Sequence, residues 1–210
     1  MRTKTNMASL LSGSLQNGYY LAHQNGKLFL KKRPKKKNKE EWSDKQQIMQ
    51  TRMSCMSKFA SHNLHNLIRP IWNTYKLNGI SGYPLFIKSN KQAFAANGKI
   101  FDYSLLMVSI GSLPLAYNAS INIQKDSNKF TVKWECDEFA VHSSLFDFFS
   151  YALIDKSNKI HVFHTDTYRE SKEINLESNK KLENGDCVYV FFSSKQRDKF
   201  SNSLALKVKF

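Results

Sequence analysis

At 210 residues the chain is long enough to bury one good core and a second, smaller one. With 41% apolar and 13% aromatic residues, its composition excludes a disordered chain. The formal charge of +15, from 32 Lys and Arg against 17 Asp and Glu, favours anionic partners, and no apolar run reaches the length of a bilayer span. Ala8 to Leu11 is a short apolar fragment broken by Ser12-Gly13-Ser14, too brief for a secretory signal, so a cytoplasmic or particle-associated location is expected. Cys55, Cys136 and Cys187 are an odd set at wide spacings without a CxxC, which suits neutral thiols in a reducing compartment better than a disulfide.

Residues 1–17 read as a flexible N-terminus with little periodicity. Tyr19, Leu21 and His23 then alternate with Tyr20, Ala22 and Gln24; Asn25-Gly26 follows, and Leu28 and Leu30 alternate with Phe29 and Lys31. Asn-Gly between alternating runs is a strong hairpin signal, because both turn residues must accept positive φ, and a hairpin over residues 18–32 is expected. Its second strand enters KLFLKKRPKKKNK, Lys27 to Lys39, which holds eight cations and no acid. Pro34 ends any ladder role. The run suits a solvated tail, a phosphate-contacting patch on nucleic acid, or an acidic partner or anionic surface, and a nuclear-targeting role fits the same letters.

Ser43 with Gln46 forms a capping-box start. Behind it Met49, Met53, Met56, Ala60, Leu64, Leu67 and Ile71 recur at spacings of three and four, widened by Ile48, Phe59 and Ile68. This predicts one long amphipathic helix from Ser43 to about Arg69, ended or kinked by Pro70. Ser81 to Asn90 is expected to be a short helix packed on the long one, and Leu105 to Ile110 a buried strand. Gly111-Ser112-Leu113-Pro114 supplies the punctuation of a domain boundary, giving a basic hairpin-helix domain over 18–114.

From Leu115 onward the pattern becomes seven short strands parted by polar turns: around Ile121 and Ile123, Phe130 to Trp134, Phe148 to Ile154, Ile160 to Phe163, Ile174 to Leu176, Cys187 to Phe192 and Leu204 to Phe210. Seven strands in this length, with a Trp on the second, predict an immunoglobulin-like or fibronectin-like β-sandwich over 115–210 and an α+β chain as a whole. Cys136 and Cys187 would be candidates to face one another in it.

A search for chemistry finds little. His161 and His164, with Asp166 beyond, fall on opposite faces of a continuing strand, which is wrong for chelation. His62 and His65 share a helix face but lack a third ligand. No GxSxG, HExxH, P-loop or dinucleotide-type glycine pattern is present. No catalytic residue, cofactor, metal or small-molecule substrate is therefore assigned, and the chain is expected not to be an enzyme.

Several motifs in order resemble a Bacteroidota-type bacterial family of domain-of-unknown-function proteins. They are Gly13 and Gly18, Arg33-Pro34, then Gln47, Arg52 and Phe59 before Arg69-Pro70. Ser81-Gly82-Tyr83 with Phe86, Lys88 and Asn90 comes next, followed by Asp102-Tyr103-Ser104, Ser109 to Pro114, and Ser201-Asn202-Ser203. The resemblance implies a layout and no activity. The Lys35 to Lys39 extension departs from it.

The expected function is a non-catalytic structural or interaction protein, a self-assembling component of a larger particle such as a virion or surface array. Tyr19, Tyr20, Phe29, Met49, Met53 and Met56 are the expected assembly contacts in a homo-oligomer or with other subunits. The alternative is nucleic-acid binding, with Lys31, Lys32, Arg33, Lys35, Lys36, Lys37 and Lys39 on phosphates and Tyr19, Tyr20 and Phe29 stacking on bases.

Overall fold

The computed structural model describes residues 13–14, 18–24, 27–34, 38, 42–75, 79–123, 128–136, 145–179 and 181–209. The chain is α+β, its strands forming three antiparallel sheets, and it divides into two compact units, Met1–Lys45 and Gln46–Phe210.

The first unit holds the three-stranded sheet β1 (Gly13–Ser14), β2 (Tyr19–Gln24) and β3 (Lys27–Lys32), in that order. Tyr19 pairs with Lys32 and Gln24 with Lys27, so β2 and β3 are antiparallel over the expected hairpin and two residues separate their ends. The Asn25-Gly26 turn itself lies outside the described residues. Gly18 O accepts the amide of Arg33, which closes the open end.

The second unit opens with a helical layer. Helix α1 (Asp44–His62) begins directly after Ser43, as its N-cap position requires. The long helix does not run to Arg69: α1 stops at His62, Asn63 makes a turn, and Leu64–Trp72 continues as a π-helix with Pro70 inside it. The wider winding appears in the bonds from the Ile68 amide to Asn63 O and from the Asn73 amide to Ile68 O, both spanning five residues. The break falls at Asn63 because its buried side chain leaves the helix for the sheet. There its Nδ2 donates to Asn158 O at 3.1 Å and its Oδ1 accepts the Ile160 amide at 2.7 Å. Helix α2 (Gly82–Asn90) follows and packs on the π-helix, Trp72 meeting Phe86 edge-on at 5.0 Å. Gly82 is required here, since a Cβ would come within 2.6 Å of Asn73 Oδ1 and 2.7 Å of the Trp72 carbonyl carbon.

The remaining strands are β4 (Tyr117–Ile123), β5 (Lys129–Glu135), β6 (Phe148–Ile154), β7 (Ile160–Tyr168), β8 (Glu173–Glu177), β9 (Cys187–Ser193) and β10 (Leu204–Lys207). All seven fall where the alternation places them, and they form a four-stranded sheet β10-β9-β6-β7 and a three-stranded sheet β4-β5-β8. One face of the four-stranded sheet, through Phe149, Tyr151, Val188, Val190 and Phe192, shares an apolar cluster with Phe130, Val132 and Trp134 of β5. The other face, through Ala152, Ile160, Tyr189 and Phe191, shares a second cluster with Met56, Phe59, Leu67, Ile71, Trp72 and Phe86 of the helical layer. Residues 46–210 thus pack as three layers, and the boundary expected at Pro114 falls inside this unit because the helices close one face of the central sheet. Cys187 lies on the helical face and Cys136 packs on the other. All three cysteines are free.

The segment 106–110, expected as a strand, is buried at Leu106, Val108 and Ser109 but joins no ladder. Its backbone is satisfied by side chains instead. Asn90 Oδ1 accepts the Met107 amide at 2.7 Å and Asn90 Nδ2 donates to Met107 O. Ser203 Oγ accepts the Val108 amide at 2.8 Å, and Trp72 Nε1 donates to Val108 O at 2.7 Å. The two motifs Ser109 to Pro114 and Ser201 to Ser203 meet: Ser109 Oγ donates to Ser201 O, Asn202 Oδ1 accepts the Gly111 amide, and the Leu113 amide donates to Phe200 O. A Cβ on Gly111 would sit 1.9 Å from Phe200 O, so no larger residue fits.

At the far end of the sheet-to-sheet core, Arg169 is 2% exposed. Its Nη2 donates to Asp147 Oδ2 at 3.2 Å and to Pro114 O at 3.0 Å, and its guanidinium lies 3.7 Å over the Phe192 ring. Burial draws its pKa down, and the Asp147 carboxylate opposes that shift. Arg169 O accepts the Trp134 indole N–H at 2.8 Å, so one residue ties the starts of β4 and β6 to β5 and the end of β7.

Candidate interaction surfaces

Among the described residues, no three His, Cys, Asp or Glu side chains gather as a metal site. Three of the four histidines of the sequence pairs have a close polar neighbour each. His161 Nε2 lies 2.9 Å from Asp155 Oδ2, His164 Nδ1 lies 2.9 Å from Ser150 Oγ, and His65 Nδ1 accepts from Arg69 at 3.3 Å. Ser150 is fully buried, so its pair with His164 presents no nucleophile to solvent. Two of the outward-facing surfaces among the described residues combine apolar and cationic side chains.

The first is the sheet of the N-terminal unit. The register puts Tyr20, Ala22, Phe29 and Lys31 on one face and Tyr19, Leu21, Leu28, Leu30 and Lys32 on the other. Leu28, Phe29 and Leu30 are 38, 42 and 62% exposed, so neither face of β3 is covered. Strand β3 also pairs with β2 alone, leaving its outer edge unmatched among the described residues. Lys31 Nζ stands 5.8 Å from the Phe29 ring centroid, near enough for a cation–π contact, and Lys32 and Arg33 are exposed beside it. Lys35, Lys36, Lys37 and Lys39 lie outside the described residues. Tyr19 is exposed and Tyr20 half-buried.

The second lies in the other unit, where α1 runs along α2. Sequence periodicity treats the α1 stripe as uniform; the structure divides it. Met56, Phe59 and Ala60 are buried, whereas Ile48, Met49 and Met53 are 44, 48 and 49% exposed. Met56, expected as an assembly contact, is 3% exposed and belongs to the protein's own core, in the apolar cluster that also holds Phe59, Leu85 and Phe86. Met49 and Met53 stay outside that cluster. They form, with Met56, Pro84 and Ile87, the floor of an open groove of about 450 Å³ edged by Arg52, Lys88 and Lys91. Arg52 donates from Nη2 to the Lys91 carbonyl, which fixes the guanidinium against the C-terminal end of α2. The α2 half of this groove was not singled out in the sequence. Its signal is present in Pro84, Ile87, Lys88 and Lys91, at the i, i+3, i+4, i+7 spacing of a single helix face.

Among the described residues no helix is long and apolar enough to cross a membrane. No protein-family model matches the chain, and no curated protein matches it.

Proposed function

We propose that this protein is a non-catalytic structural and interaction module, a component that joins a larger particle such as a virion or surface array. In this reading the N-terminal sheet makes the joining contacts and residues 115–210 form a fibronectin-like sandwich. One observation carries it: strand β3 presents Leu28, Phe29 and Leu30 exposed, on both faces and at an edge that is open among the described residues. A small isolated sheet of this kind gains stability only when another surface removes those side chains from water, at about 25 cal/mol per Å² buried. The sandwich reading is supported by the chain's path. It runs β4-β5 in one sheet, β6-β7 in the other, back to β8 beside β5, then to β9 beside β6 and β10 beside β9. The buried Trp134, stacked on Phe149 at 4.7 Å, fills the space between the two sheets. The same layout follows from the order of motifs that resembles the Bacteroidota-type family.

Light scattering of the untreated full chain over a range of concentrations tests the assembly. A mass above monomer that collapses on Leu28→Ser with Leu30→Ser supports it, and a single monomer peak throughout ends it. Copies of a +15 chain repel, so association through apolar faces should strengthen as salt screens the charge.

Nucleic-acid binding is the second reading, favoured by the adjacency of Lys31 to Phe29 and of Lys32 to Tyr19 across the pair. Its salt dependence has the opposite sign, because phosphate contacts release counterions and weaken as salt rises. Replacing Lys31, Lys32, Arg33, Lys35, Lys36, Lys37 and Lys39 by Gln should flatten that slope. Unchanged affinity for DNA and RNA would remove the idea, as would the absence of nucleic-acid absorbance in the untreated sample.

A further inference from the structure

We infer that the groove between α1 and α2 is a docking site for an acidic amphipathic helix of a different protein. The inference deepens the interaction reading above and rests on it. The floor is built from Met49, Met53, Met56, Pro84 and Ile87, and thioether side chains adapt to whichever apolar residues enter. The two helical walls touch at Arg52 with Lys91 and at Ser57 with Tyr83, their chains running oppositely, and an apolar trough between them suits a third helix laid lengthwise, its contacts recurring every three to four residues.

Charge decides what that helix carries. Arg52, Lys88 and Lys91 line the rim, and among the described residues no acidic side chain lines the groove. An occupant whose apolar stripe is bordered by Glu or Asp would meet three cations, and one bordered by Lys would be repelled. Among the described helices a second copy of this chain offers no acidic one: Asp44 is the single acid in α1, and the π-helix and α2 contain none. The occupant therefore comes from another protein, and the surface that a uniform apolar stripe would assign to self-contact is heterotypic.

The experiment uses the full chain and three fluorescein-labelled peptides of equal length. One has a Leu stripe flanked by Glu on a helical repeat, one has the same stripe flanked by Lys, and one scrambles the Glu and Leu residues. Fluorescence anisotropy should show the Glu-flanked helix binding at least tenfold tighter than either other peptide, and losing affinity as salt rises. Met49→Gln with Met53→Gln, at exposed positions that leave the fold intact, should weaken it at least tenfold. Lys88→Glu with Lys91→Glu should reverse the ranking in favour of the Lys-flanked peptide, a result that general stickiness cannot give. Equal binding of the scrambled peptide, no binding of any, or binding only to phosphatidylglycerol vesicles would overturn the assignment. Light scattering of the same samples separates the two proposals. An assembled protein that ignores the peptides refutes the groove alone, and a monomer that binds them refutes the particle alone.

Discussion

Strands β3 and β9 both carry large apolar residues and meet opposite fates. KLFLKK in β3 is exposed throughout its Leu28–Lys32 stretch, whereas every residue of CVYVFFS in β9 is buried. Composition accounts for part of the difference, since β3 holds Lys27, Lys31 and Lys32 and β9 holds no charged residue, and position in the sheet accounts for the rest. Strand β9 is central, paired on both sides, with helices over one face and β5 over the other, whereas β3 is an edge among the described residues and keeps Leu28, Phe29 and Leu30 exposed. What the rest of the chain brings to a strand decides much of its burial.

The sharpest way to break that contrast is to make the same change in both sheets. Phe191→Ala removes a fully buried ring that packs on Phe200 at 6.2 Å and should destabilise the Gln46–Phe210 unit by about 3–5 kcal/mol in urea unfolding. Phe29→Ala, at a ring 42% exposed, should shift stability by less than about 0.5 kcal/mol. Equal losses would mean that β3 is covered in solution and would remove the basis of the assembly reading.

Arg169 offers a test of similar size within the covered sheets. Arg169→Met strips the buried Asp147 carboxylate of its partner and should cost about 3–5 kcal/mol. Adding Asp147→Leu should recover much of the loss, because replacing both charges by apolar groups leaves no ion stranded. Failure of the double variant to recover would show that the bonds from Arg169 to Pro114 O and Leu115 O, rather than the ion pair, hold this end of the core.

How much of this was legible in the sequence follows from which forces are local. The hairpin and all seven later strands are readable because period-two alternation and Asn-Gly or Gly-containing turns are local signals. The partition of α1 is not readable: Met53 and Met56 are chemically alike and three residues apart, and only the tertiary cluster that forms around Met56 decides that one is buried. Pro70 looks like a stop because it cannot donate in a helix, yet a π-helix carries the chain through it, while the actual break at Asn63 is set by a bond to residues nearly a hundred positions away. Segment 106–110 reads as a strand because it is apolar, but its partners are the side chains of Asn90 and Ser203, which no periodicity announces. The candidate surfaces divide the same way. The cations of the hairpin are visible as a run, whereas Arg52, Lys88 and Lys91 become a rim only when two helices are laid side by side.

The seam between the helical layer and the sheets can be probed at Gly111. Gly111→Ala drives a Cβ against Phe200 O, a backbone atom with nowhere to retreat, and the cost should be about 1–3 kcal/mol. Gly185→Ala has open space around it but a positive φ of 95°, so it loses backbone freedom rather than room. A larger loss at Gly111 than at Gly185 would place the restraint in packing between the 109–114 and 200–203 segments. Equal losses would place it in backbone conformation alone.

The smallest effect is electrostatic and belongs only to the covered sheet. His164 lies on the helical side of β7, bonded to Ser150, and its burial, aided by Arg197, holds its pKa below the ordinary 6.5. The unfolded chain therefore takes up this proton first as pH falls, so folded stability is complete above about 6.5 and declines as pH drops through the folded value. His164→Gln keeps a polar partner for Ser150 and removes the titration, and should flatten the pH dependence of unfolding below 6.5 while leaving stability at pH 8 nearly unchanged. If the N-terminal sheet makes the assembly contacts proposed above, the mass in light scattering should not follow that titration. A mass that falls in step with the His164 transition would show that the two units are energetically coupled.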